Sequence, residues 1–287
     1  EIPDYGNEGK YWLQKKYIPT VMRFHSPTFT DRKNELINPT TKHQIEEFNA
    51  FKLVEAHSFV SKSLMNMIYK FNVDYTNIIS RVIHNSVFVP KFQNKKTFSQ
   101  DNFLIIGAGT ISSLKGFDRL VNACEIIYSK GFNFKLELYG REGDLSYFMK
   151  KKSKSNNWLK LYGQVDRSIL LNKFFEADLC CFPSYFEPMG LTALEAMGVG
   201  SIVLAGSSGG WSEIINDSKN GFLISPKSSI EELATKIISI LCHSNHFKKN
   251  ISKNAQSTIK EKSMDKFLRE TISLYKDSIK EYKKNMQ

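Results

Sequence analysis

A chain of 287 residues, 41% hydrophobic and 24% charged, is long enough for two globular domains and too apolar for a disordered polymer. Its formal charge of +11 points to an anionic partner, such as a nucleotide diphosphate, a lipid head group or an acidic polymer, and does not single out nucleic acid. No apolar run is long enough to span a bilayer and no signal peptide opens the chain, while Cys124, Cys180, Cys181 and Cys242 lack paired-ligand spacing and read as small buried hydrophobes in a reducing compartment.

In chain order, residues 1–9 read as a loop and 10–17 as a short helix. Residues 20–24 form a strand that ends at His25-Ser26-Pro27. A helix is expected over about 41–57, where Ile45, Phe48, Phe51, Leu53 and Val54 make an approximate apolar stripe. A short strand at 58–60, a helix at 63–71 and a strand at 78–83 follow, then a turn at His84-Asn85-Ser86. The polar stretch 91–102 reads as a linker, which assigns a first domain to residues 1–95.

From residue 103 the pattern changes to regular alternation. Strands are expected at 103–106, 135–139, 159–162, 179–182, 201–204 and 221–224. Helices are expected at 117–128, 145–151, 167–175, 188–197, 211–215 and 230–241, the last with Ser228 and Glu231 as a capping box. Strand and helix in turn predict a doubly wound parallel sheet, assigned to residues 96–265. Helices at about 247–261 and 266–284 close the chain. Residues 244–287 carry 11 Lys and Arg against 5 Asp and Glu; this is either a solvated helix face or a contact with an anionic membrane surface.

The chemistry concentrates around residues 178–198. A residue before proline is pushed out of the α region, and proline suits the first turn of a helix, so Glu187 is expected just ahead of a helix that Gly198 stops. Met189, Gly190, Leu191 and Thr192 then present free backbone N–H groups, and Gly190 leaves room for a ligand. Glu195 sits about two turns in, among Leu191, Leu194 and Met197. A carboxylate there is costly unless paired, and sugar or ribose hydroxyls would satisfy it. Capping or solvent exposure is the plainer alternative for either glutamate.

Three glycine-rich loops follow strands of the same predicted sheet, whose C-terminal edge is where such sheets bind ligands. Gly107-Ala108-Gly109 with Ser112 mimics a dinucleotide fingerprint, which would make the protein a nicotinamide-dependent enzyme. That reading wants an acidic group at the next strand tip, and Glu137 points the wrong way. The loop fits Gly109-x5-Lys115-Gly116 better, with Lys115 as a phosphate contact or else a solvated lysine. At Gly140-Arg141-Glu142-Gly143, Arg141 is a diphosphate clamp or an exposed turn arginine. At Gly206–Gly210, before Trp211-Ser212-Glu213, the backbone approaches a ligand or simply turns. No His, Cys or Asp cluster has metal-ligand spacing, so no protein-held metal and no cofactor are expected.

As a set, Gly109 through Lys115-Gly116, Leu161-Tyr-Gly163-Gln-Val165, Ala177-Asp178, Phe186-Glu187-Pro-Met-Gly190-Leu-Thr-Ala-Leu-Glu195-Ala-Met-Gly198, Gly209-Gly210-x2-Glu213 and Asn220-Gly221-Phe-Leu resemble retaining glycosyltransferases of the family-4 type. The likeness runs from Val21 to about Leu274. It implies the α/β GT-B fold, two Rossmann-like domains facing across a cleft, with the last helix returning to the first domain. It implies transfer from a UDP-, GDP- or ADP-sugar to a glycan or lipid-linked acceptor, as in polysaccharide biosynthesis, with no nucleic acid involved. A cytoplasmic setting is expected, and the basic charge, apart from the resemblance, leaves peripheral contact with the inner face of a membrane open beside a plainly solvated surface. In that scheme Lys115 contacts the donor diphosphate, Glu195 the ribose hydroxyls and Glu187 the transferred sugar. The N–H groups of Met189 to Thr192 hold sugar and phosphate oxygens, and His25 lines the acceptor side.

Two departures stand out. Thr110 occupies the place where the family usually has arginine, and Arg141 is the expected substitute. The family's opening strand and first glycine-rich loop would precede residue 1, so an N-terminally truncated first domain is expected. Both departures also suit a degenerate homologue that binds nucleotide or a partner without catalysis.

Overall fold

Parallel strands form two separate sheets in the computed structural model, which describes residues 1–4, 18–26, 41–70, 78–90, 92 and 96–285. The chain divides into two compact units, Glu1–Ser86 with Lys262–Gln287, and Val87–Glu261.

The first unit is built on β1 (Ile2–Pro3), β2 (Val21–Phe24), β3 (Ala56–Phe59) and β4 (Ile79–Val82), ordered β1-β2-β3-β4 and all parallel. Residues 2 and 3, expected in a loop, pair with Met22 and Arg23. Two residues are too few to show a period, and Pro3 is tolerated because β1 is an edge strand. Helix α1 (Lys42–Ala50) starts from a Thr41–Gln44 capping box. It stops at Ala50, well short of the expected 57, because Ala56 and His57 are claimed by β3, in register with Val21 and Met22. The apolar residues that suggested a longer helix, Phe51 and Val54, are buried all the same. Phe51 meets Phe24 edge-on at 4.6 Å between ring centroids, and Phe24 stacks on Phe59 at 4.5 Å. His57 Nε2 lies 2.7 Å from the Phe51 carbonyl oxygen, and burial pushes its pKa down to about 4. Helix α2 (Lys62–Tyr69) is capped by Ser61. The short helix expected at 10–17 lies outside the described residues.

The second unit alternates as expected: β5 (Phe103–Ala108), α3 (Phe117–Ser129), β6 (Phe134–Tyr139), α4 (Ser146–Ser155), β7 (Leu159–Gly163), α5 (Arg167–Glu176), β8 (Leu179–Phe182), α6 (Leu191–Gly198), β9 (Val203–Gly206), a 3-10 turn (Gly210–Glu213), β10 (Phe222–Ile224), α7 (Ile230–Cys242) and α8 (Asn245–Glu261). All six strands are parallel, in the order β10-β9-β8-β5-β6-β7. The chain's direction of travel across the sheet reverses between β5 and β8, so the loops after those two strands meet at the switch point, where such sheets leave a crevice. Ile105, Leu136, Leu179 and Leu204 are fully buried in the core beneath it.

Several local expectations shift. The capping box of α7 is Ser229 with Glu232, one residue later than Ser228 and Glu231. Helix α6 runs through Gly198 to a cap at Val199, and the left-handed residue beyond it is Gly200. Cys124, Cys180 and Cys181 are buried, but Cys242 is exposed. The Ala177-Asp178 pair has a structural task. Asp178 accepts the N–H groups of Ser99 and Leu104, fastening the entry to β5, and Lys96 donates to the Ala177 carbonyl. The chain then returns to the first unit as α9 (Met264–Asn285). Leu274 of α9 is buried with Val21, Ala56 and Ile83, and Asp277 accepts from Arg81 of β4 at 2.5 Å.

Candidate active site

The loop after β5 leads from Gly109 to Lys115 and is tied to the loop after β6. The Ile111 N–H donates to the Arg141 carbonyl at 2.9 Å, the Leu145 N–H to the Ile111 carbonyl, and Ser113 donates from both N–H and hydroxyl to Asp144. These bonds set Thr110 and Gly109 beside Gly140 and Arg141. The Arg141 side chain is exposed and makes no ion pair among the described residues. Gly116, at φ 70°, opens α3, and a Cβ there would stand 2.2 Å from the Pro183 carbonyl oxygen. Only glycine accepts that backbone with so little space, so the end of the Lys115 loop is pressed against the exit of β8. The Tyr185 N–H donates to the Leu114 carbonyl across the same seam.

The segment after β8 stays out of the helix through Gly190, whose backbone is extended, and α6 begins at Leu191 rather than Pro188. Backbone pairing explains the difference. The Glu187 N–H donates to the Ser208 carbonyl, and its own carbonyl accepts from the Gly210 N–H at 2.8 Å. A Cβ on Gly209, at φ 100°, would lie 2.1 Å from that carbonyl. The buried Trp211 indole donates to the Gly190 carbonyl at 3.0 Å. Residues 187–190 are thus held as a strap by residues 208–211 and are withheld from the helix. Gly209 of the third glycine-rich loop therefore has a concrete function: only glycine lets the two segments pair this closely.

The strap presents the Glu187 carboxylate, 8% exposed, to Lys115, whose Nζ lies 2.5 Å from Oε2. Gly190 backs this pair closely; a Cβ would sit 2.8 Å from the Glu187 Cδ. Met189 is buried, Leu191 exposed and Thr192 half-buried. Among the described residues no side chain caps α6, so its first-turn N–H groups are open donors at the positive end of the helix dipole. Glu195 lies five residues past Gly190, about 7 Å along the helix axis. It is 8% exposed and paired with Arg167, whose Nε is 2.6 Å from Oε1. Arg167 also donates to the Phe88 carbonyl. The sequence reading missed Arg167; its only signal was that a carboxylate among Leu and Met demands a cationic partner.

The remaining residues fall elsewhere. Glu137 is buried and accepts the hydroxyls of Tyr139 at 2.6 Å and Tyr162 at 3.2 Å, so it is engaged within the sheet and does not reach a ribose. His25 belongs to the first unit, exposed at the end of β2. Partial desolvation of the ring, with the charge of Arg23 as a second cause, holds its pKa below the usual imidazole value. Asn85 accepts from the buried Arg23 at 2.9 Å. A cavity of about 720 Å³ opens at the opposite, N-terminal edge of the second sheet, lined by Asp101, Phe103, Lys130, Asn133, His243 and Lys248; it contains none of the residues above. Among the described residues no cluster of His, Cys, Asp or Glu is placed to hold a metal, and no helix is long and apolar enough to cross a membrane.

The switch point therefore combines a lysine, a buried carboxylate and an uncapped helix end, a set able to hold an oxyanion and a sugar hydroxyl side by side. Comparison with known proteins points the same way. Residues 88–258 match the family model described as glycosyl transferases group 1. An uncharacterised glycosyltransferase of Methanocaldococcus jannaschii is 28% identical over 278 residues, covering 90% of this chain and 69% of that protein. Against the next two curated relatives the chain spans 41% and 40% of their length. Among solved structures, sucrose-phosphate synthase from Thermosynechococcus elongatus superposes with a TM-score of 0.75 at 18% identity, covering 93% of this chain and 70% of that one. Anabaena HepE in complex with UDP and glucose gives 0.72 at 20% identity, covering 94% and 77%. With the family model spanning more than half of its residues, the chain belongs to the group 1 glycosyl transferases, and its architecture is that of the GT-B glycosyltransferase fold.

Proposed function

We propose that the chain transfers a sugar from a nucleoside-diphosphate sugar to a glycan or lipid-linked acceptor, with retention at the anomeric carbon. The observation that carries this reading is the Lys115–Glu187 pair, 2.5 Å apart, beside the uncapped start of α6. An ammonium group has three donors, so Lys115 can keep one on Glu187 and turn another to the donor diphosphate. The free N–H groups of α6 take further phosphate and sugar oxygens. Glu187, fixed by the strap, accepts from hydroxyls of the transferred sugar. Glu195 keeps Oε1 on Arg167 and offers Oε2 to the ribose.

In the reaction the bond from C1 to the diphosphate oxygen breaks while the acceptor oxygen bonds to C1 on the same face. The acceptor proton passes to the departing diphosphate. The chain's part is to stabilise the charge that builds on that leaving group, through Lys115 and the helix end. Arg141 supplies the second cation in place of the arginine that Thr110 displaces; its exposed side chain, with no ion pair among the described residues, on a backbone bonded to the Thr110 loop, supports this. His25 is assigned to the acceptor side. No metal or cofactor takes part in this scheme, and the donor is a UDP-, GDP- or ADP-sugar.

A panel of nucleotide sugars, read by release of nucleoside diphosphate, tests the reading. Turnover with one of them is expected, and none with any of them refutes catalysis. Binding of UDP, GDP or ADP without turnover would favour the second reading, a degenerate nucleotide-binding homologue, which Thr110 supports. An Arg141→Ala variant with unchanged donor affinity would remove Arg141 from the scheme.

A further inference from the structure

One side of α9 carries large apolar residues that remain about half exposed. Met264, Leu268, Ile272 and Ile279 are 44%, 47%, 50% and 42% exposed. At about 100° per residue they fall within roughly 80° of helix arc, one continuous stripe. The buried residues of α9, Thr271, Leu274 and Ser278, lie on a different arc. Arg269, Lys276, Lys280 and Lys283, all exposed, border the stripe on its solvent side. One acid, the exposed Asp265, shares that border with the four cations, while Asp277 is engaged with Arg81 and Glu270 with Lys266 at 4.0 Å. Burial against the sheet therefore uses one face of α9 and leaves a second apolar face edged with cations.

We propose that this face docks α9 flat on an anionic lipid bilayer, with the aliphatic stripe at the acyl boundary and the lysines among the head groups. Low overall hydrophobicity, an apolar stripe and a basic border are the marks of a helix that lies in a membrane interface and does not cross it. The charge pattern selects this occupant over a second copy of the chain. A two-fold contact would set one basic border against its twin, whereas anionic lipid neutralises it. The surface is independent of the transferase reading, and its readout involves neither donor nor acceptor, so either can fail alone.

The test is co-sedimentation of the intact chain with vesicles of pure phosphatidylcholine and of phosphatidylcholine mixed with phosphatidylglycerol, at low and raised salt. Binding to the mixed vesicles is expected, weakened by salt, with little on the neutral ones. Leu268→Asp with Ile272→Asp, and separately Lys276→Glu with Lys280→Glu, should each lower partitioning by about tenfold or more. Because all four side chains are exposed, melting temperatures should stay near that of the parent chain. Equal binding to both vesicle types, no binding to the mixed ones, or variants that bind like the parent chain would overturn the proposal. So would a dimer, seen by light scattering, that the aspartate pair dissociates while vesicles bind nothing.

Discussion

Replacing Gly190 with alanine should disable transfer while leaving nucleotide binding nearly intact. At φ −66° the backbone accepts any residue, so the whole effect is steric. The new Cβ would stand 2.8 Å from the Glu187 Cδ and 2.9 Å from Trp211 Cζ2, where ordinary contact begins at about 3.5 Å. Trp211 is 1% exposed and anchored through its indole N–H to the Gly190 carbonyl, so it has no room to retreat. The Glu187 carboxylate is the free end of a side chain and must move by at least about 0.7 Å. That stretches its 2.5 Å bond to Lys115 toward the limit of hydrogen bonding. Overpacking of this kind costs about 1–3 kcal/mol of stability. A displacement near 1 Å of a group that positions the reacting sugar costs turnover about 100-fold. Lys115 keeps its charge, so affinity for the free nucleoside diphosphate should change by less than about threefold. The assay pairs steady-state diphosphate release with calorimetric titration of UDP, GDP or ADP. A Gly190→Ala enzyme with parental turnover refutes the placement of Glu187 in the reaction.

Three further outcomes follow from the same geometry. Lys115→Met should weaken nucleoside-diphosphate binding about 10- to 100-fold and lower the melting temperature by stranding Glu187; adding Glu187→Gln should restore the melting temperature but not the affinity, and recovery of both would contradict the diphosphate contact. Gly116→Ala forces a left-handed alanine against the Pro183 carbonyl, so a stability loss of more than about 2 kcal/mol is expected by denaturant titration, and a near-neutral result would contradict the tight seam at the end of β8. His57 titrates at about 4 in the folded first unit against 6.5 ordinarily, so the unfolded chain binds the proton first and stability is lost as pH falls from 6.5 toward 4. The loss is roughly 2 kcal/mol near pH 5, and a His57→Gln variant whose melting temperature falls as steeply as the parent's over that range would assign the acid sensitivity elsewhere.

The alternation of strands and helices after residue 103, and the family motifs laid over it, were enough to determine the parallel sheet and the GT-B fold. Periodicity and short-range spacing are local properties, and each buried strand such as Leu179–Phe182 announces itself in four residues. Even Glu195's need for a partner was legible, because burying a lone carboxylate is costly wherever it occurs. The partner was not. Arg167 stands 28 positions away, and nothing local to either residue names the other. The same holds for residues 187–190, whose local signal favoured a helix from Pro188. Backbone pairing with residues 208–210 outweighed it, and that pairing exists only once β8 and β9 lie side by side. At the other end, the early stop of α1 was set by the register of β3 on β2, which outweighed an apolar stripe running past Ala50. Long-range hydrogen bonds decided these places because they satisfy buried backbone groups that no local conformation could satisfy. They also brought Lys115, from the loop after β5, onto Glu187 in the strap after β8.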